Sequence, residues 1–235
     1  MTSAEILKQL EKLGSPGTAN VLMKHGAKSP CYGVKVEDLK KIHKQVKTNH
    51  DLAMQLFNSG VFDAMYLAGL VIDGSTMTEK ELNAWAETDY GSSISSYTVP
   101  WVASENEAGL KLALKWIDSK KEFVAVAGWS TLGAIVSLKE DNDLDMALIK
   151  TLMERITKTI DTAPNRVKQA MNSFIIQVGS YIAPLTDTAI KAAAKMGKVK
   201  VDVGDTACKI PDAAEYINKV KARGSLGKKK KTVKC

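Results

Sequence analysis

Leu52-Ala53-Met54-Gln55-Leu56-Phe57-Asn58-Ser59, followed by Tyr66-Leu67-Ala68-Gly69-Leu70-Val71-Ile72, has an echo further along the chain. The echo is Leu112-Ala113-Leu114-Lys115-Trp116-Ile117-Asp118-Ser119, followed by Thr131-Leu132-Gly133-Ala134-Ile135-Val136. A third copy starts at Leu148 and runs through Met171-Asn172-Ser173-Phe174-Ile175-Ile176. Paired apolar stretches recurring every roughly forty residues predict a HEAT-like solenoid, in which each helix pair buries its apolar face only against its neighbours. The small residues Ala68, Gly69, Gly133 and Ala134 let helices approach closely and favour that stack over the alternative, a single irregular bundle.

Outward from these repeats the pattern stays helical. Ile6, Leu7, Leu10 and Leu13 recur at spacings of three and four, as do Leu39, Ile42 and Val46, then Leu148, Leu152, Ile156 and Ile160. Alternating strand-type runs are absent. Thr78 with Glu81 reads as a capping box, and Pro164, Pro184 and Pro211 each suit the first turn of a helix. The prediction is an all-α chain of about eleven to thirteen short helices. Residues 1–222 form one repeat domain and residues 223–235 a flexible basic tail.

The chain has 235 residues, 45% hydrophobic and 25% charged, enough for a substantial core and not the composition of a disordered chain. Cys31, Cys208 and Cys235 form no CxxC clip, and nothing resembles a secretory leader, so a reducing, intracellular setting is expected. No apolar run approaches the ~20 residues that span a bilayer, and no membrane partner is expected. The net charge of +7 has a local source: from Lys219 onward there are eight Lys and Arg and no acid. The remainder is nearly neutral but segregated. Residues 1–50 carry nine lysines against four acids, residues 151–200 eight basic residues against three acids, and residues 51–150 a net −8. One basic and one acidic face would give this segregation, and a basic face is how phosphate backbones are held. Charge that merely solvates helix faces would give it too.

Chemical motifs are sparse. His25, His43 and His50 have no partners at metal-ligand spacing, so no metal site is expected. GxGxxG, GxxxxGK[ST] and GxSxG are absent, which removes the usual signatures of nucleotide cofactors and serine hydrolysis; no cofactor is expected. Cys31, in the turn-rich Ser29-Pro30-Cys31-Tyr32-Gly33, reads as a buried thiol before it reads as a nucleophile. The stretch from Trp85 to Trp101 stands out. If the helix begun near Thr78 continues, Trp85 and Asp89 share one face, and an indole beside a carboxylate suits a cationic partner. The plainer reading is a core tryptophan and a capping aspartate.

Tyr32-Gly33-Val34-Lys35-Val36-Glu37-Asp38-Leu39-Lys40-Lys41-Ile42, then Leu52 through Ile72 with Asp63 at an acidic position, then Trp85-x-x-x-Asp89, resemble the DNA alkylation repair glycosylase family, the AlkD-like proteins of HEAT-like repeats. The likeness covers about residues 15–180. It implies a right-handed superhelical solenoid whose concave basic groove grips double-stranded DNA, alkylated or distorted, as a monomer without cofactor. It also implies hydrolysis of the N-glycosidic bond of cationic N3- or N7-alkylated purines. Trp85 then matches the tryptophan that lies against the deoxyribose, and Asp89 the aspartate that supports the sugar. Such a leaving base is already cationic and needs no general acid, while a carboxylate stabilises the developing oxocarbenium charge.

Two family positions differ. Where active members place an arginine, this chain reads Trp129-Ser130-Thr131-Leu132; where they carry a second tryptophan, it reads Gln169-Ala170-Met171-Asn172-Ser173-Phe174. Phe174, Trp129 or Trp101 is left to fill the groove, and Lys120, Lys121, Arg166 and Lys168 to hold DNA. A non-catalytic module for distorted or branched DNA and a scaffold for a protein partner are therefore the alternatives to a glycosylase. Outside the resemblance, Val199-Lys200-Val201 suits a short extended piece, and Cys208 with Asp205 suggests a small site or, more simply, a turn. The Lys228–Lys231 run would scan phosphates, act as a nuclear signal or aid solubility.

Overall fold

Capping side chains and tight turns set where the helices begin and end. The computed structural model describes residues 1–204 and 206–234, and among them there are thirteen α-helices and no strand. Asp205 and Cys235 lie outside the described residues, and with them one half of the suggested Cys208 site. The rest falls into two compact units, residues 1–112 with 204, 206 and Lys234, and residues 113–203 with 207–233.

The first unit contains α1 (Ser3–Leu13), α2 (Pro16–Lys24), α3 (Val36–Val46), α4 (His50–Asn58), α5 (Phe62–Val71), α6 (Glu79–Ala86) and α7 (Val99–Glu105). Ile6, Leu10, Leu39 and Ile42, the periodic residues that close α1 and α3 on the core, are buried. The capping box forms as read: Thr78 Oγ1 accepts from the Glu81 amide at 3.2 Å and Glu81 Oε2 from the Thr78 amide at 2.8 Å. Helix α5, apolar on every side apart from Asp63 and Tyr66, packs on α4 and α3. Gly69 on α5 lies where a Cβ would meet the Thr98 side chain at 2.8 Å, so α5 and the one-turn π-helix at Ile94–Thr98 approach closely.

Helix α8 (Gly109–Trp116) leads into the second unit, which holds α9 (Glu122–Leu138), α10 (Met146–Thr159), α11 (Asn165–Tyr181), α12 (Thr186–Met196) and α13 (Ala213–Ala222). Helices α9 and α11 run side by side in the same direction. Glu122 meets Arg166, Trp129 meets Phe174, and Gly133 leaves room for Gln177, all at a near-constant sequence offset. The three sequence echoes thus fall on α4–α5, α8–α9 and α10–α11, and the fold is an all-α array of HEAT-like helix pairs. No helix among the described residues is long and apolar enough to cross a membrane.

Three local expectations need correction. Helix α6 stops at Ala86, because the Thr88 hydroxyl bonds back to the Ala84 carbonyl at 2.7 Å and Asp89-Tyr90-Gly91 turns away; Trp85 and Asp89 therefore share no helix face. Pro211 precedes α13 rather than opening it, and Asp212 is its N-cap, accepting from the Glu215 amide at 2.9 Å. Lys229 and Lys234 of the C-terminal segment have their ammonium groups engaged rather than free. In the second unit Lys229 is almost buried, its Nζ 2.9 Å from Asp141 Oδ1 and 3.1 Å from the Val136 carbonyl. The Lys230 amide donates to Ser137 and the Gly227 amide to Ser180. In the first unit Lys234 Nζ reaches Glu105 at 2.9 Å and the Ile72 carbonyl at 2.6 Å. Helix C-terminal carbonyls lack intrahelical donors and carry partial negative charge; the Lys229 and Lys234 ammonium groups meet both needs, and the Gly227 and Lys230 amides supply the missing donors.

Candidate nucleic-acid interface

Trp85, in the last turn of α6, has 1% of its surface exposed and lies flat on Phe57 of α4, with ring centroids 3.9 Å apart and planes 4° from parallel. With Phe57, Tyr90 and Thr78 it lines a hollow of about 520 Å³. The expected sugar-contacting indole is therefore a core residue. Trp101 is likewise buried, edge-on to Tyr66 at 5.0 Å.

Asp89 sits in the turn after α6, where Gly91, at φ +106°, comes so close to the Gly26 carbonyl that no side chain fits between them. The Ser92 hydroxyl donates to the His25 carbonyl in the same contact. This joins the turn after α2 to the turn after α6 and sets Lys28 Nζ 2.6 Å from Asp89 Oδ2. The carboxylate, 43% exposed, is thus half of an ion pair that sequence reading missed, since its partner lies sixty-one residues away.

The other candidate acid, Asp63, is buried and accepts from the Tyr32 and Val34 amides at 2.6 and 2.7 Å, so it clamps the loop rather than facing a ligand. Its charge, after burial, helps push the Cys31 thiol up to about 11, which closes the nucleophile reading. His50 bridges Thr76 and Glu81 at 3.2 and 3.1 Å, a structural role. No group of three His, Cys, Asp or Glu able to hold a metal occurs among the described residues.

In the second unit, Trp129 and Phe174 are both fully buried, edge-on at 5.6 Å in the seam between α9 and α11. Neither fills a groove; each holds the two helices in register. The cations fare differently. Lys120 and Lys121 immediately precede α9, and Arg166 and Lys168 sit in the first turn of α11. Glu122 Oε1 accepts from the Arg166 amide at 2.6 Å, which places these two N-terminal ends next to each other. Arg166 Nη1 is steadied by Gln169 at 3.1 Å. Asn165 exchanges two hydrogen bonds with the Asp202 backbone, at 2.7 and 2.8 Å, and draws the segment carrying Lys200 to the same end. Two parallel helix N-termini with four basic side chains make a surface suited to phosphate oxygens. The periodicity of the sequence contains no signal for Glu122 or Asn165 as its organisers.

The sequence pattern of the DNA alkylation repair enzymes matches residues 6–217, nearly the whole chain. The chain belongs to that family. It is 33% identical to an uncharacterized protein of Listeria monocytogenes and 32% identical to one of Listeria innocua, in each case over 95% of this chain and 99% of the relative. Among solved structures it is similar, with a TM-score of 0.92, 34% identity and complete coverage of both chains, to a protein described as one of a new family related to the HEAT-like repeat DNA glycosylases with affinity for branched DNA structures.

Proposed function

We propose that this family member is an intracellular protein that binds branched or distorted DNA through the N-terminal ends of α9 and α11 without breaking the glycosidic bond. One observation carries the choice: the carboxylate of Asp89 is committed to Lys28 at 2.6 Å, while the indole of Trp85 lies under Phe57. An oxocarbenium-like sugar needs uncompensated negative potential close by, and an adjacent ammonium cancels most of it. Lys120, Lys121, Arg166 and Lys168 supply sequence-independent phosphate contacts, the kind that serve a ligand recognised by shape. The solved relative's described affinity for branched DNA supports the same reading. Excision of N3- or N7-alkylated purines is the second reading, favoured by the partial exposure of Asp89 at the family's position.

Fluorescence polarisation with a four-way junction and a duplex of equal length tests the proposal. Preference for the junction is expected, with an affinity that falls steeply with salt and drops at least tenfold in Arg166→Glu/Lys168→Glu. Release of 7-methylguanine from methylated duplex, abolished by Asp89→Asn, would establish the second reading instead.

A further inference from the structure

Helices α10 and α12 pack against each other and leave a groove of about 650 Å³ between them. Its walls are one stripe of each helix: Lys150, Met153, Glu154 and Thr157 from α10, and Thr188, Lys191 and Lys195 from α12. Met153 and Ala192 make a buried apolar floor. The rim is basic and uncommitted. Lys150, Lys191 and Lys195 are exposed, and none has a salt-bridge partner among the described residues. Glu154 is the single acid on the rim.

Phosphate backbones are held by cations and backbone amides and gain nothing from an apolar floor. An amphipathic helix gains from both, with apolar residues set at i, i+3 or i+4 and i+7 into the floor and acids on either flank meeting the lysines. The α12 wall runs from Thr188 to Lys195, about 12 Å of helix, room for about two turns of a bound helix. We propose that this groove docks an acidic amphipathic helix of a partner protein, with Glu154 fixing its direction by meeting a basic residue of that helix. The DNA reading is separate, since its cations lie on the ends of α9 and α11.

The probe is a fluorescein-labelled helical peptide of about four turns, leucines on one stripe and glutamates flanking it, titrated into the full chain. Saturable binding is expected, at least tenfold weaker in Lys191→Glu/Lys195→Glu. These side chains are exposed and unpaired, so an unchanged thermal melt is expected for the variant, and a milder Ala194→Gln, at an exposed lining position, supplies a second variant that should also weaken peptide binding. Junction DNA affinity should change less than twofold in the same variants. Absence of peptide binding, equal binding of a scrambled peptide, indifference to the charge reversals, or an equal loss of DNA affinity would each overturn the proposal, the last by making the groove a phosphate surface.

Discussion

Asp89 Oδ2 lies 2.6 Å from Lys28 Nζ, so the carboxylate in the turn after α6 is paired with a residue from the turn after α2. Both side chains are about half exposed, and such pairs contribute at most about 1 kcal/mol, so Lys28→Met should barely move the unfolding midpoint in urea. Asp89→Asn should leave junction affinity within about twofold, because the paired carboxylate neither attracts nor repels phosphates at range. A tenfold gain on neutralising Asp89 would show that it faces the DNA unpaired.

Trp85→Ala should destabilise the chain by about 3–5 kcal/mol, the usual loss for a buried aromatic, with Trp85→Phe losing much less. Equilibrium urea unfolding measures this. A variant that keeps full stability yet loses DNA affinity would return the indole to the binding surface.

Glu122 is an acid next to the cations at the start of α9 and α11, and it also accepts the Arg166 amide. Glu122→Gln retains an acceptor while removing the charge, so junction affinity at low salt should rise about three- to tenfold with little change in melting temperature. Unchanged affinity across a salt titration would place the DNA elsewhere.

Ending the chain at Leu226 removes the donors that satisfy Val136, Ser137 and Ser180 at the ends of α9 and α11. Leaving such carbonyls unmatched costs about 1–3 kcal/mol, visible in thermal melts monitored by circular dichroism. A truncated chain that melts like the full one would mean the lysines contribute only charge.

Cys31 should be slow toward iodoacetamide. Burial, then the charge of Asp63, takes its pKa from 9.0 to about 11, so at pH 8 the thiolate is about a hundredfold scarcer than for an ordinary cysteine. Its labelling rate should climb about tenfold per pH unit up to that value, and peptide mapping separates it from Cys208. Rapid labelling at pH 7 would contradict the burial of the thiol.

The helical periodicities, the Thr78–Glu81 box and the repeat echoes are local or short-range patterns, so helix content and the packing of α4 on α5 could be read from residue order alone. So could the concentration of basic residues around 120 and 166. Aromatic exposure could not. Trp85, Trp129 and Phe174 look the same in a sequence whether they line a groove or a core, and only the approach of α4 to α6 and of α9 to α11 buries them.

The same holds for charge. Lys28 with Asp89, Lys229 with Asp141 and Lys234 with Glu105 are each separated by dozens of residues, and sequence order carries no information about which charges meet across such distances. Hydrophobic spacing acts within a few turns and is written along the chain. The state of an acid or a cation depends on its neighbours in space, and those exist only after the helices have packed.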